Sequence, residues 1–529
     1  MFPMTERRRR TGGGLAAGAV LMALSLVLSA CGSGGSGGGS GERDPDATLR
    51  LNYAGVSTLD PGTTAGSTAM LSNTWPVYDR LLQISEDGEY LPMLATDWSF
   101  SEDGTALRLD LRDDVTFTDG TPFTAATVAA NIERYQQEPV SRDATSAIES
   151  VEEIDEHTVD LHLSSASRSV LGALSAAAPG IMISENALDN PDLGTHPVGS
   201  GAWEIDSFRP NERVTYTRRT DEGGIWDPDS GQVAEVEIQV RTTEAGYGAV
   251  RSGQTDVALS GGDVSELQSE IDQGNLIVRP LQNASTIAAL HLNQTVAPFD
   301  ELGVRQAVNY AIDRSTLVEA LNPTTSPRVQ PFASVLGGFD ESFEEIYPYD
   351  PERARQALTD AGYPDGVDAG TIYVANYEPF PPAAQIVQAN LEEVGIDIEL
   401  ELMDVRQLAN GGYSESGRAA AFYFLAFPGL EPGVNLNWVL ESPTTVPGGM
   451  PDDISEKIAA VDDSTITVEE QNSRAQEIVE WATENAVYAP VWQGVPGWVM
   501  TDKVHGVEEG KAFLAPLGGQ DFRHAWISE

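Results

Sequence analysis

The side chains able to do covalent or metal chemistry are few and scattered. The chain has one cysteine, Cys31, and six histidines, at 157, 162, 196, 291, 505 and 524. One thiol can form neither an internal disulfide nor a thiolate zinc site. The histidines make no HxxxH or HExxH ligand pair. His162 falls in an alternating strand pattern, which places a solvated or core-edge imidazole there. A secreted hydrolase would need paired carboxylates or a Ser/His/Asp set. The residue types are present, but beyond residue 47 no GxSxG elbow assembles them. No catalytic residue, metal site or cofactor is assigned from the sequence.

Cys31 sits in "LSACGSGGSGGGSG", where nothing can pack around it. Before it come a basic start, Arg7 to Arg10, and an apolar run of 16 residues, Leu15 to Ala30. That run is short for a membrane span, which takes roughly 20, and has the order of a secretory signal. Leu28-Ser29-Ala30-Cys31 resembles a bacterial lipobox. The resemblance implies that the Cys31 thiol carries a diacylglyceryl group and that cleavage precedes it. Residues 1–30 are then the signal peptide, and 31–47 a lipidated, Gly/Ser-rich tether with a root-mean-square reach of about 20 Å. The four arginines leave general secretory and twin-arginine export both open.

The formal net charge is −50, with three lysines in the whole chain. Such a surface repels nucleic acid and anionic lipid headgroups. The charge fits either a cationic ligand or a solvated surface adapted to salt, and the spread of the acids along the entire length favours the second. Arginine in place of lysine points to a GC-rich, actinobacterium-like genome.

The length allows two or three domains or one large bilobal unit. From Thr48 onward, strands and helices alternate. Leu107, Leu109 and Leu111 alternate with Arg108, Asp110 and Arg112, and Val159, Leu161 and Leu163 do the same in "TVDLHLS". Ile396, Ile398, Leu400 and Leu402 line one face of "IDIELEL". "YDPERARQALTDAGYP" predicts a helix with Asp350 as N-cap, Pro351 at its first position and Gly362 closing it. "AAQIVQANLEEVG" predicts another, with Ala383, Val387, Leu391 and Val394 on one stripe and a stop at Gly395. In "FDELGVRQAVNYAID", Asp300 is the expected N-cap. This mixture predicts an α/β fold with helices covering the sheets.

Several stretches in order resemble the extracytoplasmic solute-binding proteins of peptide- and nickel-type ABC importers, bacterial family 5. They are "STLDPG" (57–62), "YDRLLQISEDGEYLPMLATDWSFSEDGTALRLDLRDDVTFTDGTPFTAATV" (78–128), "HPVGSGAWEI" (196–205), "ALHLNQTVAPFDELGVRQAVNYAIDRSTLVEAL" (289–321) and the Tyr349–Pro364 phrase. The resemblance covers about residues 48–525. It implies a bilobal periplasmic-binding-protein-like α/β fold with an extra subdomain inserted in lobe I. Lobe I maps to 48–288 with the insertion near 81–195, lobe II to 289–488, and 489–529 returns to lobe I. The crossovers fall near Thr286–His291 and Val487–Val491. The implied function is capture of a small solute between the lobes and delivery to a membrane permease by hinge closure. The protein is expected to be a monomer with no enzymatic activity, tethered outside the cytoplasmic membrane.

Peptide binders of the family hold the ligand's amino terminus with an aspartate near a "DPD"-like turn. The matching region here, Phe424–Leu440, has no aspartate, and Glu431 is its nearest acid. Glu431 either substitutes or is a turn residue. Loops that the family uses suggest further ligand contacts: Thr63, Thr64, Met70, Asn376, Tyr377, Phe427, Asn435, Trp438, Trp492, Gln493 and Trp498. Each aromatic among them could equally be core. A di- or oligopeptide is the leading ligand, with oligosaccharides and metal chelates as alternatives. A sensory receptor would share the fold.

Overall fold

The computed structural model describes residues 41–529 except 65–67, 86–87, 222–223, 261–263, 282–285, 322–324, 410, 412–417, 428, 508–512 and 516–518. The signal segment and Cys31 lie outside the described residues. No helix among the described residues is long and apolar enough to cross a membrane.

The first lobe is built on a seven-stranded sheet. Its central strand, Thr48–Tyr53, pairs in parallel with Glu235–Val240 and with Val257–Ser260. Between Thr48–Tyr53 and Glu235–Val240 the chain leaves to form a separate four-stranded antiparallel sheet, from Ala95–Phe100, Ala106–Leu111, Ile148–Asp155 and Thr158–Leu163. The alternation read from the sequence holds: Leu107, Leu109, Val159 and Leu161 are fully buried against Phe117, Val128 and Leu171. His162 stays at the surface, with Nε2 at 3.0 Å from Glu152 Oε2.

The second lobe is a six-stranded mixed sheet with helices on both faces. Its strand Thr286–Leu292 is buried nearly throughout. Successive side chains point to opposite faces, so Ala288, Leu290 and Leu292 enter one core and Ile287 and Ala289 another. The first core is covered by the helices Leu302–Ala311, Pro351–Asp360 and Phe380–Val394, the second by Asp452–Ala459 and Val468–Glu484. A continuous apolar strand is what a sheet covered on both sides requires.

The chain passes from the first sheet to the second between Pro280 and Thr286. It returns between Gly494, at the end of Tyr488–Gly494, and Gly497, at the start of Gly497–Thr501, later than the expected crossover near Val487–Val491, because Tyr488–Gly494 pairs with Thr286–Leu292 in the second sheet. The last segment is held in the first lobe by buried charges. Arg523 reaches Asp79 and Asp521 at 2.7 Å each. Asp79 also accepts from Ser200 Oγ and Trp226 Nε1.

The expected caps are mostly present. Asp350 accepts from the Arg353 N–H and Pro351 opens its helix. Gly395 ends Phe380–Val394 with φ 93°, a left-handed conformation that costs glycine nothing. One cap differs. The helix expected to start after Asp300 starts at Leu302, with Glu301 as N-cap. Asp300 is held one step earlier in a turn, its N–H donating to Val296 O. Leu402 also differs, being 59% exposed on Ile396–Met403, the edge strand of its sheet.

Candidate functional site at the lobe boundary

The segment after the strand Ala420–Leu425 carries the turn in which an acid was expected. Asn435 folds it back on itself, with Nδ2 donating to Gly429 O at 3.0 Å. Pro432 opens the short helix Pro432–Leu436, and Glu431 stands at its N-cap without making a side-chain cap bond. The adjacent Leu430 packs against the cores of both lobes. Glu431 therefore belongs to the second lobe but faces the first.

Its surroundings come from three separate elements. Tyr90, on the strand Tyr90–Pro92, and Arg168, just before the helix Ser169–Ala176, belong to the first lobe; Asp462 follows the helix Asp452–Ala459 of the second. Glu431 is 8% exposed and makes no ion pair among the described residues. Burial pushes its carboxyl up to about 7 and the Asp462 charge adds to this, while Tyr90 and Arg168 oppose it. The Tyr90 hydroxyl lies in the field of that carboxylate but makes no well-formed hydrogen bond to it. Burial likewise raises the Asp462 carboxyl, against hydrogen bonds from Ser167 and Ser169. A buried carboxyl half-ionised near neutral pH can accept an incoming ammonium group without a resident cation to displace.

The other expected residues divide by burial. Thr63 and Thr64 lie in the 3-10 turn after Asp60, their hydroxyls donating to Asp60 O and Pro61 O; Asp60 itself is held by Arg134 at 2.7 Å. Thr63 and Asn376 are exposed. Tyr377 and Trp438 are 39% and 48% exposed. Met70 is wholly buried. Phe427 packs edge-on against Phe332 in a second-lobe core. Trp492 packs against Phe380 and Phe422, and Trp498 against Tyr53 and Phe522. Gln493 is engaged within the second lobe, its Oε1 accepting from Arg328 Nε and the Ser334 N–H. The exposed ring of Trp438 lies on a single π-helical turn, Asn437–Glu441, a distortion frequent at functional sites. Tyr90, Ser167, Arg168 and Asp462 were not foreseen as site residues, because no local pattern marks them. Among the described residues, no group of three or more His, Cys, Asp or Glu side chains could hold a metal ion.

Comparison with known proteins agrees with this architecture. A glutathione-binding protein, GsiB, of Shigella flexneri is 28% identical over 376 residues, 68% of this chain and 71% of the relative. The fold is that of DppA from Helicobacter pylori, a periplasmic binding protein solved with the peptide STSA (TM-score 0.73, 21% identity, 92% and 98% of the two chains). It is also that of NikA from Brucella suis, solved with Fe(III)-EDTA (TM-score 0.76, 21% identity, 92% and 100%). Residues 89–417, more than half of the chain, match the family described as bacterial extracellular solute-binding proteins, family 5 Middle. The chain belongs to that family of substrate-binding components of ABC transporters, which bind solutes and catalyse no reaction.

Proposed function

We propose that the protein captures a small peptide, a di- or oligopeptide, between its lobes and presents it to an ABC permease. The observation that carries this reading is the buried Glu431 carboxyl at the lobe boundary, raised to about 7 and without an ion-pair partner among the described residues. A peptide's terminal ammonium group would complete it, and closure would exclude water from the pair. The relatives named as glutathione-binding support a peptide-like ligand. The exposed rings of Tyr377 and Trp438 favour a second reading, stacking on a sugar or a chelate. We further propose that Cys31 carries the lipid anchor and that the protein works as a monomer outside the cytoplasmic membrane.

A thermal-shift panel of dipeptides, oligopeptides, glutathione, cello-oligosaccharides and nickel–histidine tests the ligand class. Stabilisation by peptides or glutathione supports the proposal. Stabilisation by sugars or chelates alone overturns it.

A further inference from the structure

The two lobes also meet beside Glu431's turn, through Asp462. Asp462 Oδ1 accepts the Ser169 N–H at 2.9 Å, and its Oδ2 accepts the Ser167 hydroxyl at 2.5 Å. The Asp462 carbonyl accepts the Arg168 N–H at 3.1 Å. The Arg168 guanidinium returns the contact, with Nη2 donating to Ile466 O at 3.0 Å and reaching Ser464 O at 3.4 Å. A second hairpin of the first lobe joins in, Gly104 O accepting the Ser464 hydroxyl at 3.2 Å. The approach is close: a Cβ on Gly104 would stand 2.4 Å from Ser464 Oγ and 2.9 Å from Thr465 Cγ2, both of the other lobe.

Ser169 is the first residue of its helix, Ser169–Ala176, and Arg168 is its N-cap. The first N–H groups of a helix have no partner within it and must be satisfied from outside. Arg168 makes no side-chain cap bond of its own. An N-cap oxygen from Ser, Thr, Asp or Asn is ordinarily supplied by the preceding residue; here it arrives from a residue 293 positions away, in the other lobe.

We infer that Asp462 is a latch: a capping group supplied in trans, which holds the lobes closed by completing the helix Ser169–Ala176 only when they meet. Opening the lobes would leave the Arg168 and Ser169 N–H groups, the Ser167 hydroxyl and the Asp462 carboxylate to water together. The latch shares Asp462 and Arg168 with the surroundings of Glu431, but its hydrogen bonds run from lobe to lobe and need no contact with the solute.

Hydrogen–deuterium exchange on the full-length lipoprotein in detergent reads the latch directly. No intrahelical bond protects the Arg168 and Ser169 amides, so their protection reports the cross-lobe contact. The expected result is slow exchange at both in the wild type. In Asp462→Ala they should exchange about tenfold faster, and in Asp462→Asn within a few-fold of wild type, because asparagine caps nearly as well. Amides in the middle of Thr48–Tyr53 should not change. Ser167→Ala, a milder change, should move the same two amides in the same direction. Fast exchange at Arg168 and Ser169 in the wild type, or unchanged exchange in both the Asp462→Ala and Ser167→Ala proteins, overturns the inference.

Discussion

Arg523 Nη1 donates to Asp79 Oδ1 at 2.7 Å, joining the end of the chain to its beginning across 444 positions. Both side chains are almost wholly buried, and the same guanidinium holds Asp521. Removing one member of a buried network leaves the others as uncompensated charges, which costs about 3–5 kcal/mol. Arg523→Met should therefore lower stability by about that amount, read as a shift in the urea midpoint. Arg209→Ala, in an exposed pair with Glu212, should change it by no more than about 1 kcal/mol. Equal effects of the two would contradict the role given to the buried network.

The Glu431 carboxyl makes stability depend on pH with an unusual sign. Its ordinary value is 4.5, and burial raises it to about 7 in the folded protein. Between those values the folded state holds a proton that the unfolded state has released. The stabilisation is full below about 4.5 and is lost as pH rises through about 7. Thermal melts of wild type and Glu431→Gln across pH 4 to 8 should show the wild type losing ground to the variant as pH rises through that window. A difference that stays flat would mean that the carboxyl titrates normally.

If a peptide ammonium pairs with Glu431, binding must take the proton off that carboxyl. Affinity should rise with pH up to about 7 and fall again above about 8, where the peptide's ammonium group loses its own proton. Glu431→Gln should weaken peptide binding by about 10- to 100-fold, the loss of one charged hydrogen bond, and remove the rise in affinity below pH 7. Titration calorimetry in buffers of different ionisation heat measures both.

Two aromatic residues from the same segment should behave oppositely. Phe427 is 1% exposed and packed on Phe332, so Phe427→Ala should cost about 3–5 kcal/mol of stability. Trp438 is 48% exposed, so Trp438→Ala should leave stability within about 0.5 kcal/mol. Any loss of ligand affinity in the Trp438 variant then reports a contact and not a folding defect.

Cys31→Ala should abolish lipid attachment, leaving the protein unprocessed or released, as fractionation and intact-mass measurement would show. Membrane retention with an uncleaved amino terminus would instead indicate an anchoring helix.

Local chemistry made much of the fold legible. Asp350-Pro351 and Gly395 mark helix ends through capping and backbone conformation, and the leucines at 107, 109 and 111 mark a strand through its period of two. Asp300 misled because a turn ahead of the helix competes for the same residue type. The site was harder to read. Trp492, Trp498 and Trp438 look alike in sequence, yet the first two are core residues and the third is exposed. Glu431 could be located from the family's turn, but its state depends on Tyr90, Arg168 and Asp462, which only the tertiary structure brings near it. Contacts such as Ser169–Asp462 link elements of different lobes, where no periodicity or spacing can reveal a pairing.

The most direct test of the central claim is native mass spectrometry of the protein purified from its own host without added ligand. The expected result is a bound species whose mass and fragmentation are those of a short peptide, lost on unfolding and chemically unchanged after incubation. A bound oligosaccharide or metal chelate, or a ligand converted to product, would contradict it.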